Sequence, residues 1–246
     1  MRVGAAVGAA VGAALWLALA LAAGCSSLLG IENLHGPPDD GQIGSGVPAQ
    51  ISVSGTVRIN QPGQPPYSTL VELIRPDGSV AQSAMSGLGD GKFVLTAATG
   101  GTALDVALHV VAQVSDAREE RMYFAAPLTA DRDLGTVLVL LDGDVQTLVT
   151  AFGDSYALPM TLYIVQVHDA LAMPVAGAMV VPQPSQVIVR YSGGPASGTA
   201  TTAEGTAYVL DYNTQVTSLS ASGAVTVPAH RVRGIPAGVV VSELAP

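Results

Sequence analysis

The chain has 246 residues, of which 49% are hydrophobic, 4% aromatic and 12% charged, and its formal net charge is −9. An acidic surface repels phosphate backbones, which sets nucleic acid aside as a partner. One cysteine in the whole chain excludes an intrachain disulfide, so stability has to come from buried apolar area.

In chain order, the first feature is a charged start at Arg2 followed by an apolar run from Val3 to Ala23, closed by Leu21-Ala22-Ala23-Gly24-Cys25. A basic start, an apolar stretch and small residues at its end are the pattern of a secretory signal. The segment resembles a bacterial lipoprotein signal peptide. That resemblance implies cleavage before Cys25, lipidation of the Cys25 thiol, and Ser26 as a residue that permits sorting to the outer membrane. Two other readings stay open from the residues alone. Ala20-Leu21-Ala22 also suits an ordinary secretory peptidase, and the run is about the ~20 residues that a spanning helix needs. Val-Gly-Ala-Ala recurs three times between Val3 and Ala14 and reads as low complexity. If lipid is attached, each buried methylene contributes about 0.8 kcal/mol and two or more chains hold the protein stably on its membrane.

Residues 25–50 contain Gly36-Pro37-Pro38-Asp39-Asp40 and Gly44-Ser45-Gly46 with little apolar periodicity, the composition of a flexible tether. From Ile51 the chain alternates: Ile51, Val53, Val57 and Ile59 share one face, and Ser52, Ser54, Thr56 and Arg58 the other. That is a half-buried strand. Leu104, Val106, Leu108, Val110 and Ala112 repeat the pattern, with His109 on the opposite face, and residues 136–141 read as an apolar strand. Pro76-Asp77-Gly78, Gly89-Asp90-Gly91 and Asp142-Gly143 supply turn chemistry between them. Two stretches carry helical spacing, residues 116–122 and the set Val145, Leu148, Val149 and Phe152, with Gly153 placed to stop the second.

Beyond that point the order of features starts again. Val57 and Val165 each precede by nine residues a proline, Pro66 or Pro174, that introduces another apolar strand. Asp90-Gly91-Lys92-Phe93-Val94-Leu95 parallels Glu204-Gly205-Thr206-Ala207-Tyr208-Val209, and Leu134-Gly135-Thr136-Val137 parallels Pro236-Ala237-Gly238-Val239. Short strands, frequent turns and this repetition predict an all-β protein of two tandem antiparallel sandwich modules. The expected layout is a signal peptide at 1–24, a tether at 25–50, one module at 51–143 and a second at 144–246.

Pro174-Val175-Ala176-Gly177-Ala178-Met179-Val180 with Thr201-Thr202-Ala203-Glu204-Gly205-Thr206-Ala207 resembles carboxypeptidase regulatory-like and bacterial Ig-like repeats, and Ser54-Gly55-Thr56-Val57 is similar to the opening strand of that family. In the first module Ser68-Thr69-Leu70-Val71 stands where the family has Gly-Ala-x-Val. The resemblance implies a prealbumin-like sandwich that holds, spaces or binds and lacks a catalytic centre.

The chemistry-bearing residues agree with a non-enzyme. The residues three beyond His35, His109, His168 and His230 are Pro38, Ala112, Leu171 and Arg233, so no His-x-x-Glu pair exists for zinc, and neither HExxH nor GxSxG occurs. Ser86-Gly87-Leu88-Gly89-Asp90-Gly91-Lys92 lacks the first glycine and the final hydroxyl of a phosphate loop, and reads as a turn. Asp131, Asp133, Asp142 and Asp144 have the oxygen density of a calcium site, but a strand between the two pairs holds them apart by about 20 Å. A Lys-to-Asn amide crosslink has only Lys92 to draw on, which would have to meet an Asn such as Asn60 beside a carboxylate, and the placement of Lys92 just after a turn argues against it. Trp16 is the one tryptophan and lies in the signal segment, leaving Tyr123, Tyr163, Tyr191 and Tyr212 as the aromatic faces for a sugar. The expectation is a non-catalytic envelope protein, without cofactor or metal, held to the membrane by lipid and acting on envelope proteins or glycans in a structural, scaffolding or adhesive role. A carbohydrate-binding module at the cell surface is the alternative.

Overall fold

A computed structural model describes residues 46–60, 67–192 and 198–246. The described residues form fourteen strands and one helix. The first seven strands are β1 (Gln50–Ile59), β2 (Thr69–Ile74), β3 (Val80–Met85), β4 (Lys92–Ala98), β5 (Ala107–Ala112), β6 (Glu120–Tyr123) and β7 (Arg132–Val139). Helix α1 (Asp142–Ala151) follows, and then β8 (Thr161–Val167), β9 (Ala178–Gln183), β10 (Ile188–Tyr191), β11 (Thr206–Asp211), β12 (Ser218–Gly223), β13 (Val227–Arg231) and β14 (Val239–Leu244).

The two sets of seven repeat one pairing scheme. In the first, β1 lies between antiparallel β4 and parallel β7; in the second, β8 lies between antiparallel β11 and parallel β14. Likewise β5 lies between β2 and β6, and β12 between β9 and β13, all antiparallel. One strand breaks the symmetry. The third strand of the first set, β3, pairs with β2, whereas its counterpart β10 pairs with β11 in the opposite layer.

The two sandwiches share a sheet. β14 pairs in parallel with β6, Val239 opposite Glu120 and Ser242 opposite Tyr123. This joins the strands into one eight-stranded sheet of order β10-β11-β8-β14-β6-β5-β2-β3, flanked by the three-stranded sheets β4-β1-β7 and β13-β12-β9.

Side-chain alternation then sends each central strand into two cores. Leu162 and Ile164 of β8, Tyr208 and Leu210 of β11, and Val239 and Val241 of β14 enter the first core. Tyr163, Val165, Ala207, Val209 and Val240, from the same strands, enter the second. With both faces covered, all residues of β8, β11 and β14 are buried, so their sequences read as apolar runs without a period. Strands with one solvated face keep the period. β4 alternates exposed and buried over its whole length, and β1 buries Ile51, Val53 and Val57. A register shift between Ser54 and Thr56 sits at Gly55, where a Cβ would come within 3.0 Å of the Phe93 ring.

The helix is the cover that lets this happen. Val145 and Val149 point into the first core, and Phe152 packs on Tyr208 with ring centroids 5.0 Å apart. Asp142-Gly143 therefore opens a helix rather than closing a hairpin. Leu141 is the N-cap, its N–H donating to Asp144 Oδ2 at 2.9 Å, and the two first-turn aspartates suit the positive end of the helix dipole. Residues 116–122 are not helical: their charged residues flank and form β6. The strand expected from Leu104 begins at Ala107, with Leu104 held as an isolated bridge to Leu128, and the strand expected at 136–141 runs Arg132–Val139 instead. Pro76-Asp77-Gly78 forms the β2–β3 turn, where Arg75 N–H donates to Ser79 O at 2.8 Å and Gly78 takes φ +89°.

Candidate functional site

The lipidation residue Cys25 and the sorting residue Ser26 lie outside the described residues, as do His35 and the expected cleavage point. Among the described residues no helix is long and apolar enough to cross a membrane.

The other chemistry-bearing residues are found in structural bonds. Asp131 accepts Ser52 N–H at 2.7 Å, Asp133 accepts Gly135 N–H at 3.0 Å, Asp142 pairs with Arg118, and Asp144 caps α1. The first two lie before or at the start of β7 and the others beyond its end. Among the described residues no group of three or more His, Cys, Asp or Glu is placed to hold a metal. His109 lies on the outer face of its sheet, Nδ1 at 3.0 Å from Glu72 and Nε2 at 2.6 Å from Glu119. Each ring nitrogen thus has its own carboxylate partner. The two carboxylates are on opposite sides of the ring and do not converge on one point.

The tyrosines stitch layers together. Tyr163 is fully buried and donates to Val216 O at 3.4 Å, and burial followed by the nearby Asp211 charge raises its pKa above the usual phenol value. Tyr191 accepts Val180 N–H at 3.0 Å from the facing sheet. Tyr212 donates to Ser155 O at 2.7 Å, and Tyr123 accepts Arg233 N–H at 2.9 Å. Tyr163 and Tyr191 thus offer no ring face to a sugar.

What the fold does concentrate is charge at the junction of the two sandwiches. Arg118, 3% exposed, pairs with Asp142 at the start of α1, donates to Ala237 O ahead of β14, and lies over the Tyr156 ring at 5.4 Å. A single guanidinium so ties β6, α1, β14 and the segment after the helix. At the other end of the junction Arg132 Nη2 donates to both Glu243 carboxylate oxygens at 2.7 and 3.0 Å, Ala125 N–H donates to the same carboxylate at 3.3 Å, and Arg132 lies 4.9 Å over the Phe124 ring. A third clamp holds the helix exit: Arg190 of β10 reaches both oxygens of Asp154 at 2.7 Å. Planar forks of this kind fix orientation as well as distance.

Glu120 lies between the first two clamps, opposite Val239, and it points inward. It is 3% exposed, its Oε2 has no hydrogen-bond partner among the described residues, and burial pushes its pKa up to about 8. It lines a cavity of about 10 Å³ with Met122, Leu138, Ile164 and Val241, room for about one water. A protonated carboxyl is the form that so apolar a setting tolerates.

Sequence reasoning missed this cluster. The chain has ten Lys and Arg in all; Arg132 and Arg190 stand close to apolar runs, and Arg118 lies in a charged stretch just ahead of Met122-Tyr123-Phe124. That scarcity was the available signal, together with Glu243 inside Val-Val-Val-Ser-Glu-Leu.

No known family model matches this chain, and no curated protein matches it. Among solved structures, the Bacillus anthracis TIE protein is 8% identical at a TM-score of 0.30, over 80% of this chain and 34% of that one. The chain thus spans about a third of that protein's length. A streptococcal ancillary pilin is 9% identical at 0.26, over 80% and 68%, and the shaft pilin SpaA of Lactobacillus rhamnosus GG is 9% identical at 0.28, over 80% and 96%. These are distant likenesses, and the all-β class rests on this chain's own strands.

Proposed function

We propose that this chain is a lipid-anchored, non-catalytic protein of the cell envelope, held at the outer membrane through Cys25, whose paired sandwiches serve a structural, scaffolding or adhesive role. The observation that carries the reading is the junction: Arg118 and Arg132, with Asp142 and Glu243, are engaged in holding the two sandwiches to one another, and the buried Glu120 beside them lines an apolar cavity with room for about one water. His109 and the clustered aspartates lie in local bond networks rather than in a shared cleft. The signal-like segment through Cys25, followed by the Pro- and Gly-rich residues 25–50, supports tethering at a distance from the lipid.

Intact-mass measurement of the purified protein tests the anchor. Cleavage before Cys25 with added acyl chains is the expected result, and a Cys25→Ser variant carries no acyl mass. An unmodified thiol on protein free in the culture fluid overturns the reading.

A further inference from the structure

We propose that β3 is a self-pairing edge, through which two copies of this chain join antiparallel about a two-fold axis at Ser83. The contrast with the other edges carries the argument. Unpaired strand edges attract other chains, and proteins blunt them with charge, proline or brevity. Here β9 carries Pro182, β13 carries Pro228 and Arg231, β4 carries Lys92, β7 carries Arg132 and Asp133, and β10 is four residues long with Arg190. β3, Val-Ala-Gln-Ser-Ala-Met, has neither charge nor proline, yet it ends the eight-stranded sheet.

Its register makes the edge self-complementary. Leu70 pairs with Met85, Glu72 with Ser83, and Leu73 with Gln82, but Ile74 pairs with Val80, so Ala81 is an extra residue. Without that shift Val80 and Met85, five residues apart, point to opposite faces. With it, Val80, Ser83 and Met85 all share the face of Leu70, Glu72 and Ile74. Val80 and Met85 are each 47% exposed, at opposite ends of the strand. With the Ala81 bulge absorbing one residue, antiparallel pairing about Ser83 sets each Val80 beside the partner copy's Met85 on one face, and Gln82 beside Ala84 on the other. The occupant that this pattern fits is a second copy, since the apolar pair matches only under that two-fold. The proposal is independent of how the chain is anchored.

Cysteine crosslinking of the full chain in its native membranes or in detergent tests it. A residue on the two-fold faces its own copy at about 4.5–5.5 Å between Cα atoms, inside the range that a disulfide spans. Ser83→Cys is expected to shift to dimer mass on mild oxidation, and the shift is lost when Met85→Lys is added. The parent chain with Cys25 alone, and Thr96→Cys on exposed β4, stay at monomer mass. Circular dichroism unchanged across the set shows that all of them fold. A Ser83→Cys protein that remains monomeric, or a Thr96→Cys protein that crosslinks equally, overturns the proposal. So does protection from hydrogen exchange, in a monomer, of the β3 amides that point away from β2, which means that the chain covers this edge itself.

Discussion

Glu120 shows how a single side chain sets a condition on the whole junction. Its pKa rises from the ordinary 4.5 to about 8 because the ionised form is desolvated. Between those values the folded protein holds a proton that the unfolded chain releases, so stability is full below about pH 4.5 and falls as pH climbs to 8. Each tenfold change in proton affinity between the two states is worth about 1.4 kcal/mol, which makes the loss a few kcal/mol. Thermal unfolding at about pH 5 and about pH 8 is expected to show the fall in the parent and a much flatter profile in Glu120→Gln; equal slopes in the two proteins count against a buried neutral acid. The Arg132–Glu243 pair makes a different demand. Arg132→Ala leaves a buried carboxylate with the Ala125 N–H still donating to it, and urea unfolding is expected to lose roughly 3–5 kcal/mol. The double variant Arg132→Met with Glu243→Leu is expected to recover most of it, because a filled apolar pair avoids the uncompensated charge.

At the level of elements, the strands with a wet face were legible and those between two cores were not. Ile51, Val53 and Val57 announced β1, and Leu108 and Val110 announced β5, because polar neighbours alternate with them. β8 and β14 gave no such contrast, since Tyr163 and Val240 are as deeply buried as Leu162 and Val239. Asp142-Gly143 was ambiguous by chemistry: the same dipeptide suits a hairpin or a helix's first turn, and the Arg118 partner that favours the latter lies 24 residues earlier. Asp116, Arg118, Glu119 and Arg121 imitated a solvated helical face because they gather at a strand edge where two sandwiches meet. That meeting, β6 beside β14, links residues 119 apart and leaves no local trace. Its entry is tight. A Cβ on Gly238 would lie 2.6 Å from Ile235 Cβ and 2.9 Å from Glu119 O, the acceptor of Val239 N–H. Gly238→Val is expected to cost roughly 1–3 kcal/mol through overpacking, and to raise amide exchange at residues 120–123 before it does so in β2.

For the whole molecule, a shared central sheet means shared stability. β8, β11 and β14 contribute side chains to both cores, so neither sandwich can lose its packing alone. Calorimetry is expected to give one transition with equal calorimetric and van't Hoff enthalpies, and two resolved peaks would show that the halves are independent. The tandem repeat was readable from the paired motifs in the two halves, but not the fusion. A repeat predicts beads on a string; here the string has been taken up into the beads, with α1 packed into the first core and Phe152 against Tyr208 of β11.

β14 also fixes the order in which the molecule can be finished. It is the last of the described strands, and it occupies the middle of the widest sheet. Until residues 239–244 are in place, β6 and β8 stand with a vacant slot between them. Closing that slot is a zip-fastener step, and it turns a pliable chain into a rigid body.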